Sequence, residues 1–387
     1  KAFIAVVLIL TSGVLLWDAT HQDFPIEGVN PTDAAGSEGW VVGVEDIDDE
    51  ITIKLWNVST QKEAIIEGNN WFSPPQIELS NNNLVLFNDL KLDFFQLNNS
   101  SIEVFEPIFS LINDDKIDRV SIIENDLGQP CLVIVKNNTM EIYNTINSQL
   151  ISSNYVEGLT AIEGAGQLFA SAFNTMNGPI INVTTPFNPG IEINILIENF
   201  SNELNDAYLA QFYEIPVDYN NSTIIDIEME GNLIVVLVDV GPLNRLILVD
   251  ALTGDQEMIS NPLWPSESPS IEGNYIAFLQ RPITSPTINL EPEDFNRDVF
   301  IWHVEDNNER VQITFDELLD QENPHVLDNG VTWIEINENG DSSLVIYSLE
   351  KTFEEYSSVV LQSAILMLIP LLLLLSHQSA IEKRITN

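Results

Sequence analysis

The sequence holds one cysteine, four histidines and only 14 lysines and arginines in 387 residues. Each scarcity excludes something. Cys131 has no partner for an intrachain disulfide, and its place in the apolar run 131–135 makes it a buried small hydrophobe. His21, His303, His325 and His377 form no His-x-x-x-His pair, and the one Glu-x-x-His, Glu322 with His325, has no second histidine nearby in sequence, so a zinc site of ordinary spacing is unsupported. Against 59 Asp and Glu, the few basic residues leave a net charge of −45. A field of that sign repels phosphate backbones and excludes nucleic acid as a partner. No Gly-x-Ser-x-Gly elbow occurs, and no glycine-rich loop follows a strand and opens a helix. Nucleophilic hydrolysis and nucleotide binding therefore have no signature, and no catalytic, cofactor-binding or metal-ligating set is assigned.

The acidity is not that of a disordered chain. Apolar residues make up 44% of the sequence and fall in strand-sized runs with a period of two. The acidic groups Asp46, Asp48, Asp49 and Glu50, then Asp114 and Asp115, then 291–294, lack the glycine and spacing of a calcium loop and read as solvated hairpin tips.

One pattern appears twice between Trp264 and Leu349. Ser268-Pro269-Ser270-Ile271-Glu272-Gly273-Asn274-Tyr275-Ile276-Ala277-Phe278 is matched by Asn323-Pro324-His325-Val326-Leu327-Asp328-Asn329-Gly330-Val331-Thr332-Trp333-Ile334. Each has a polar residue, a proline, a short strand, a Gly/Asn turn and a β-branched or aromatic strand. Further strand pairs accompany them, such as 298–304 with 310–314. The pattern, with Gln312-Ile313-Thr314, resembles the TolB-like, WD40-like propeller repeat. That resemblance implies a structural repeat and carries no catalytic residue. Four short strands at a period of about forty to fifty-five residues is the spacing of propeller blades. The fold expected is all-β, a single β-propeller of about seven four-stranded blades, with six and eight as the neighbouring counts. Trp56, Trp71, Trp264, Trp302 and Trp333 fall at similar blade positions and read as packing between blades.

The expected organisation is a membrane anchor or signal segment at 1–17, a linker at 18–38, the propeller at 39–350, a transmembrane helix at 356–376 and a cytoplasmic tail at 377–387. Residues 359–375 hold no charge, which marks a span, and Glu382-Lys383-Arg384 places the tail inside. The proline-rich stretch between Arg281 and Arg297 is expected to protrude as a long loop. The last blade lacks a fourth strand, and a segment near Trp40 to Trp56 is expected to supply it. Asn-x-Ser/Thr sequons at Asn57, Asn98, Asn99, Asn137, Asn182, Asn199, Asn220 and Asn221 are compatible with an exported domain.

The function expected is a membrane-anchored, extracytoplasmic docking module for a protein or a cell-surface polymer, with no cofactor. Two alternatives stand beside it: a propeller hydrolase or lyase using channel carboxylates, and a subunit of a larger membrane complex. Carboxylates converging in the channel with raised pKa values would favour the hydrolase or lyase.

Overall fold

The computed structural model describes residues 23–26, 31–47, 50–60, 62–67, 71–97, 106–188, 191–197, 222–240, 244–261, 264–281, 296–304, 310–315, 319–328 and 330–349. The chain packs as one unit, residues 26–345, and a second made of its two ends, 1–25 and 346–387. The apolar runs 1–17 and 359–375 and most of the 281–297 insertion lie outside the described residues. Among those described, no helix is long and apolar enough to cross a membrane.

The described strands are antiparallel hairpins in chain order. A first short strand, β1 (Asp23–Ile26), is followed by a sheet of β2 (Asp33–Ser37), β3 (Trp40–Ile47), β4 (Glu50–Asn57) and β5 (Lys62–Glu67). The second sheet holds β6 (Gln76–Ser80), β7 (Asn83–Phe87), β8 (Lys91–Gln96) and β9 (Phe109–Ile112). The third is β10 (Ile117–Glu124), β11 (Pro130–Lys136), β12 (Thr139–Asn144) and β13 (Gln149–Tyr155). The fourth is β14 (Leu159–Ala165), β15 (Leu168–Thr175), β16 (Gly178–Thr184) and β17 (Glu192–Leu196). The fifth is β18 (Thr223–Glu230), β19 (Leu233–Asp239), β20 (Asn244–Asp250) and β21 (Gln256–Met258). The sixth is β22 (Ser266–Glu272), β23 (Tyr275–Gln280), β24 (Asp298–His303) and β25 (Arg310–Gln312). The seventh contains β26 (Asp320–Leu327), β27 (Gly330–Ile336) and β28 (Ser342–Ser348), in the order β1–β28–β27–β26.

The first strand of each sheet packs beside the first strand of the next: β2 with β6, β6 with β10, β10 with β14, β14 with β18, β18 with β22, β22 with β26, and β26 with β2. Seven sheets thus radiate from one ring of inner strands, a seven-bladed propeller. Each apolar core lies between neighbouring sheets. Ile53, Leu55 and Trp40 of the first meet Leu84 and Leu86 of the second, and Val235 and Leu246 of the fifth meet Ile276 and Phe278 of the sixth. Burying a side chain of this kind contributes about 1.5–3 kcal/mol, so each blade depends on its neighbours. Trp56, Trp71, Trp302 and Trp333 are buried, as inter-blade packing requires, and Cys131 is a buried free thiol.

Two expectations need correction. Residues 18–38, read from Pro25, Gly28, Pro31 and Gly36 as a linker, contain both β1 and β2. The run Asp33-Ala34-Ala35-Gly36-Ser37 has little β propensity, but its small residues let β2 approach the seventh blade: a Cβ on Gly36 would lie 2.8 Å from Leu327 Cδ2 and from Thr332 Cγ2. The segment Trp40 to Trp56 forms β3 and β4 of the first blade, and the strand that joins the last sheet is β1. An N-terminal strand does complete that sheet, but it comes from earlier in the chain than expected.

The polar-Pro element of the repeat is a β-bulge. Register slips between Glu267 and Ser270 and between Glu322 and His325, and Ser268 and Asn323 take φ of 46° and 47°. Proline suits the bulge because it has no ladder hydrogen bond to lose. The hydroxyl of Thr314 accepts a hydrogen bond from Val299 N–H at 2.8 Å, and in the fifth blade Ser260 does the same for Leu246 N–H at 3.0 Å. The small hydroxyl residue after the fourth strand therefore fixes the start of the third.

Gly164 tests the ring most sharply. A Cβ there would lie 2.4 Å from the Ile122 carbonyl oxygen and 2.5 Å from Ile123 Cγ2, both on the neighbouring inner strand. Overpacking of this kind costs about 1–3 kcal/mol. Gly164→Ala should lower the denaturant midpoint correspondingly. Gly39→Ala, where nothing lies within 4 Å, should leave it unchanged.

Candidate functional site

The inner strands bring acids together at the axis. Glu78 on β6, Glu163 on β14, and Asp226 and Glu228 on β18 interact electrostatically, although they lie up to 150 residues apart (228 minus 78). Glu163 is only 9% exposed, and the other three are half-buried. Bulges help to aim this set. Register slips between Ile224 and Asp226 on β18, and between Ile117 and Arg119 on β10. Each slip sets a charged residue at the point where a strand is re-aimed, and Arg119 acts favourably on Asp226.

Burial is the main influence on all four acids. It pushes Glu78 up to about 8, with the charge of Asp226 adding to the shift. Burial, with the charges of Glu78 and Glu228, holds Glu163 well above the usual carboxylate range. Glu228 is raised in the same way by burial, Asp226 and Glu78. Burial raises Asp226 too, but the Ile227 N–H bond to its carboxylate at 3.0 Å and the Arg119 charge pull it back. The physical cause is common. A carboxylate that leaves water without a partner gives up its charge and keeps its proton.

A second set sits where the inner strands turn into the next strand, at one mouth of the channel. Glu38 follows β2, Glu230 ends β18, Glu272 ends β22 and Asp328 follows β26. Glu38 N–H donates to Glu272 Oε1 at 2.6 Å, Asp328 N–H donates to the Glu38 carbonyl at 3.1 Å, and Asn82 Nδ2 donates to Glu38 Oε2 at 3.3 Å. The turn of the first blade is thereby tied to the second, sixth and seventh. Burial raises Glu272 to about 7 against its bond from Glu38, and Asp328, Glu230 and Glu38 add repulsion. Glu38 and Glu230 are raised as well, by burial first and then by neighbouring acids.

The opposite ends of β2 and β26 carry further acids, of which Asp320 and Glu322 are met by a cation. Burial raises Asp33 to about 6, although it accepts bonds from Ala34 N–H at 2.9 Å and Asn323 Nδ2 at 2.8 Å. Arg297 forks onto Asp320, bonds Glu322 at 2.6 Å and lies 3.8 Å from Glu267, which Arg281 also meets at 3.1 Å. The guanidinium holds Asp320 below the usual range despite burial. His325, on β26, is pushed down to about 4 by burial, while a bond with the Ala34 backbone opposes that shift. The ring is therefore neutral at neutral pH.

The residues singled out by motif lie elsewhere. Asp46, Glu50, Asp114 and Asp115 are exposed at hairpin tips and turns. Among the described residues, no group of three or more His, Cys, Asp or Glu is placed to hold a metal ion. His303 sits edge-on to Tyr275 with ring centroids 4.7 Å apart. Asn57 is 1% exposed and its Oδ1 caps the Ser59–Thr60 turn, so that sequon presents no amide to a glycan. Asn137 is exposed in its turn, and Asn182 Nδ2 donates to Asn194 Oδ1 at 3.0 Å. The channel acids carried no motif. The usable signal was an acid recurring on the first strand of successive blades.

No protein-family model matches the chain, and no curated protein matches it. Solved structures do. The β-propeller domain of Cps50 (Swd1) from Myceliophteria thermophila aligns over 84% of this chain and 99% of its own at TM-score 0.54 and 9% identity. The β-propeller domain of the Trilobed protease from Pyrococcus furiosus aligns over 82% and 92% at TM-score 0.54 and 12% identity. Pyrococcus horikoshii acylaminoacyl peptidase aligns over 84% of this chain and 51% of its own at TM-score 0.55 and 10% identity. At these identities the likeness carries the fold alone, a WD40-like β-propeller.

The channel acids set the sign of the pH dependence. Between pH 6.5 and 8 the folded chain keeps protons on Glu78, Glu272, Glu163 and Glu228 that the unfolded chain has released, so stability falls as pH rises. His325 opposes this only below its ordinary 6.5. The urea midpoint should decline from pH 6.5 to 8, and Glu78→Gln should flatten the slope. A midpoint that rises over this interval contradicts the protonated channel.

Proposed function

We propose that the propeller is a docking module whose acidic channel mouth holds a positively charged segment of a partner protein, on the outer side of a membrane to which the terminal apolar runs tether it. The observation behind this reading is the convergence of Glu38, Glu230, Glu272 and Asp328 from four blades at one mouth. Burial raises Glu272 to about 7, and Glu38 and Glu230 are raised as well, so the mouth favours a proton on Glu272 in place of a counter-ion. A lysine or arginine entering the mouth displaces that proton and meets the carboxylates in ionised form, where charge-assisted bonds are strongest. The propeller fold shared with Swd1 and the two proteases is compatible with a binding role and carries no activity of its own into this chain. A cell-surface polymer bearing amino groups presents the same cation and stays within this reading, as does membership of a larger membrane complex.

A second reading draws support from the deeper set. Glu78, Glu163 and Glu228 keep protons beside Asp226, which Arg119 and Ile227 N–H favour in ionised form. Neighbouring carboxyls whose surroundings raise them to different degrees are the arrangement from which acid–base chemistry is built. Such a hydrolase or lyase would lose turnover in Glu78→Gln and in Asp226→Asn, whereas docking at the mouth would survive both.

Docking at the mouth predicts a pH signature. A lysine-rich peptide should bind more tightly at pH 8 than at pH 6, by up to about tenfold per proton displaced per pH unit, and should release protons on binding. Calorimetry in buffers of different ionisation enthalpy reads both quantities. Glu272→Gln should remove most of the pH dependence, and Asp114→Asn, at an exposed turn, should not. Equal binding by wild type and Glu272→Gln across this range would reject the mouth as the site.

A further inference from the structure

Six of the seven outer strands are blunted against pairing. β5 carries Lys62, Glu63 and Glu67, β17 carries Glu192, and β1 carries Asp23 and Pro25. β9 has four residues, and β21 and β25 have three each. Short length, charge and proline are the devices by which sheet edges avoid one another. β13 has none of these three, and its only irregularity is a register slip at Ile151, between the pairs Ile142–Ser152 and Tyr143–Leu150. It is seven residues long, Gln-Leu-Ile-Ser-Ser-Asn-Tyr, lies outermost in its sheet, and is exposed at every position but Ser152. Ile151 is 45% and Tyr155 70% exposed, and Ile146 lies exposed in the preceding turn.

The surrounding sequence is equally unusual. Residues 142–156 contain no Asp, Glu, Lys or Arg, in a chain of net charge −45. Two copies repel each other over most of their surface, but they meet no charge along this edge. The edge is also self-complementary. Val156 N–H donates inward to the Asn138 carbonyl at 2.7 Å. By the alternation of an antiparallel ladder, the backbone groups of Ser153 and Tyr155 point outward. An antiparallel two-fold centred on Ser153 sets Ser153 against its counterpart and brings Tyr155 of each copy opposite Ile151 of the other, where the register with β12 slips and the regular ladder ends.

We propose that β13 is a homodimer edge, pairing with β13 of a second copy of this chain to join two third blades into one eight-stranded sheet. A foreign uncharged strand would use the same backbone groups but would not be related by a two-fold. The dimer leaves the channel mouth free and does not depend on what docks there.

Cysteine crosslinking of the full chain tests this directly, because Cys131 is buried and no other cysteine is present. Ser153→Cys places two thiols across the axis at a separation that a disulfide can span. Under mild oxidation it should give a band of twice the chain mass, many times faster than Asp114→Cys at an exposed turn. Added salt should speed the crosslink, because screening relieves the repulsion between like-charged copies. Adding Tyr155→Lys to the Ser153→Cys chain should abolish the crosslink. Crosslinking no faster than the Asp114→Cys control, slowed by salt, or leading only to a species of a different mass would overturn the two-fold pairing.

Discussion

Closing seven strands around an axis while they carry like charges is the constraint on which this molecule turns. Packing between blades demands the ring, since each sheet can bury its apolar faces only against its neighbours. The ring then confines Glu78, Glu163, Asp226 and Glu228 to a channel where water is scarce. Ionised, four such groups would oppose closure. The chain relieves the conflict by keeping protons in the channel, with Arg119 acting favourably on Asp226. At the other mouth it uses a guanidinium, Arg297 against Asp320 and Glu322. The same chemical problem is met by protons at one end and by arginine at the other.

That difference gives the two ends different functional meaning. At the Arg297 end, Asp320 and Glu322 are paired with a guanidinium and read as structure. The Glu272 end is bonded but not neutralised by any cation that the described residues supply, and it holds a proton as a placeholder. A positively charged side chain fits the place electrostatically. The overall charge of −45 favours the encounter at long range, while the mouth decides where the cation comes to rest.

Much of the fold was legible in the sequence because blades six and seven keep their punctuation. Ser268-Pro269 and Asn323-Pro324 lie at bulges, and Thr314 lies at the seat of the sixth blade's third strand. The first strands were harder to read. Ala34, Ala35 and Gly36 form an inner strand for reasons of close approach, which local propensity does not express. The channel site was not legible residue by residue. Alternation tells which face of a sheet a side chain takes, but Glu78, Glu163 and Glu228 meet only once seven strands share an axis. The bulges before Arg119 and Asp226 break the alternation that would have located them.

The infrared spectrum of the protonated carboxyl group interrogates the channel most directly, because its carbonyl stretch is separate from that of an ionised carboxylate. The folded protein at pH 7 should show this band. It should weaken as pH passes about 8, where Glu78 loses its proton, and shrink in Glu78→Gln. A folded protein with no protonated carboxyl band at pH 7 would contradict a channel closed by retained protons.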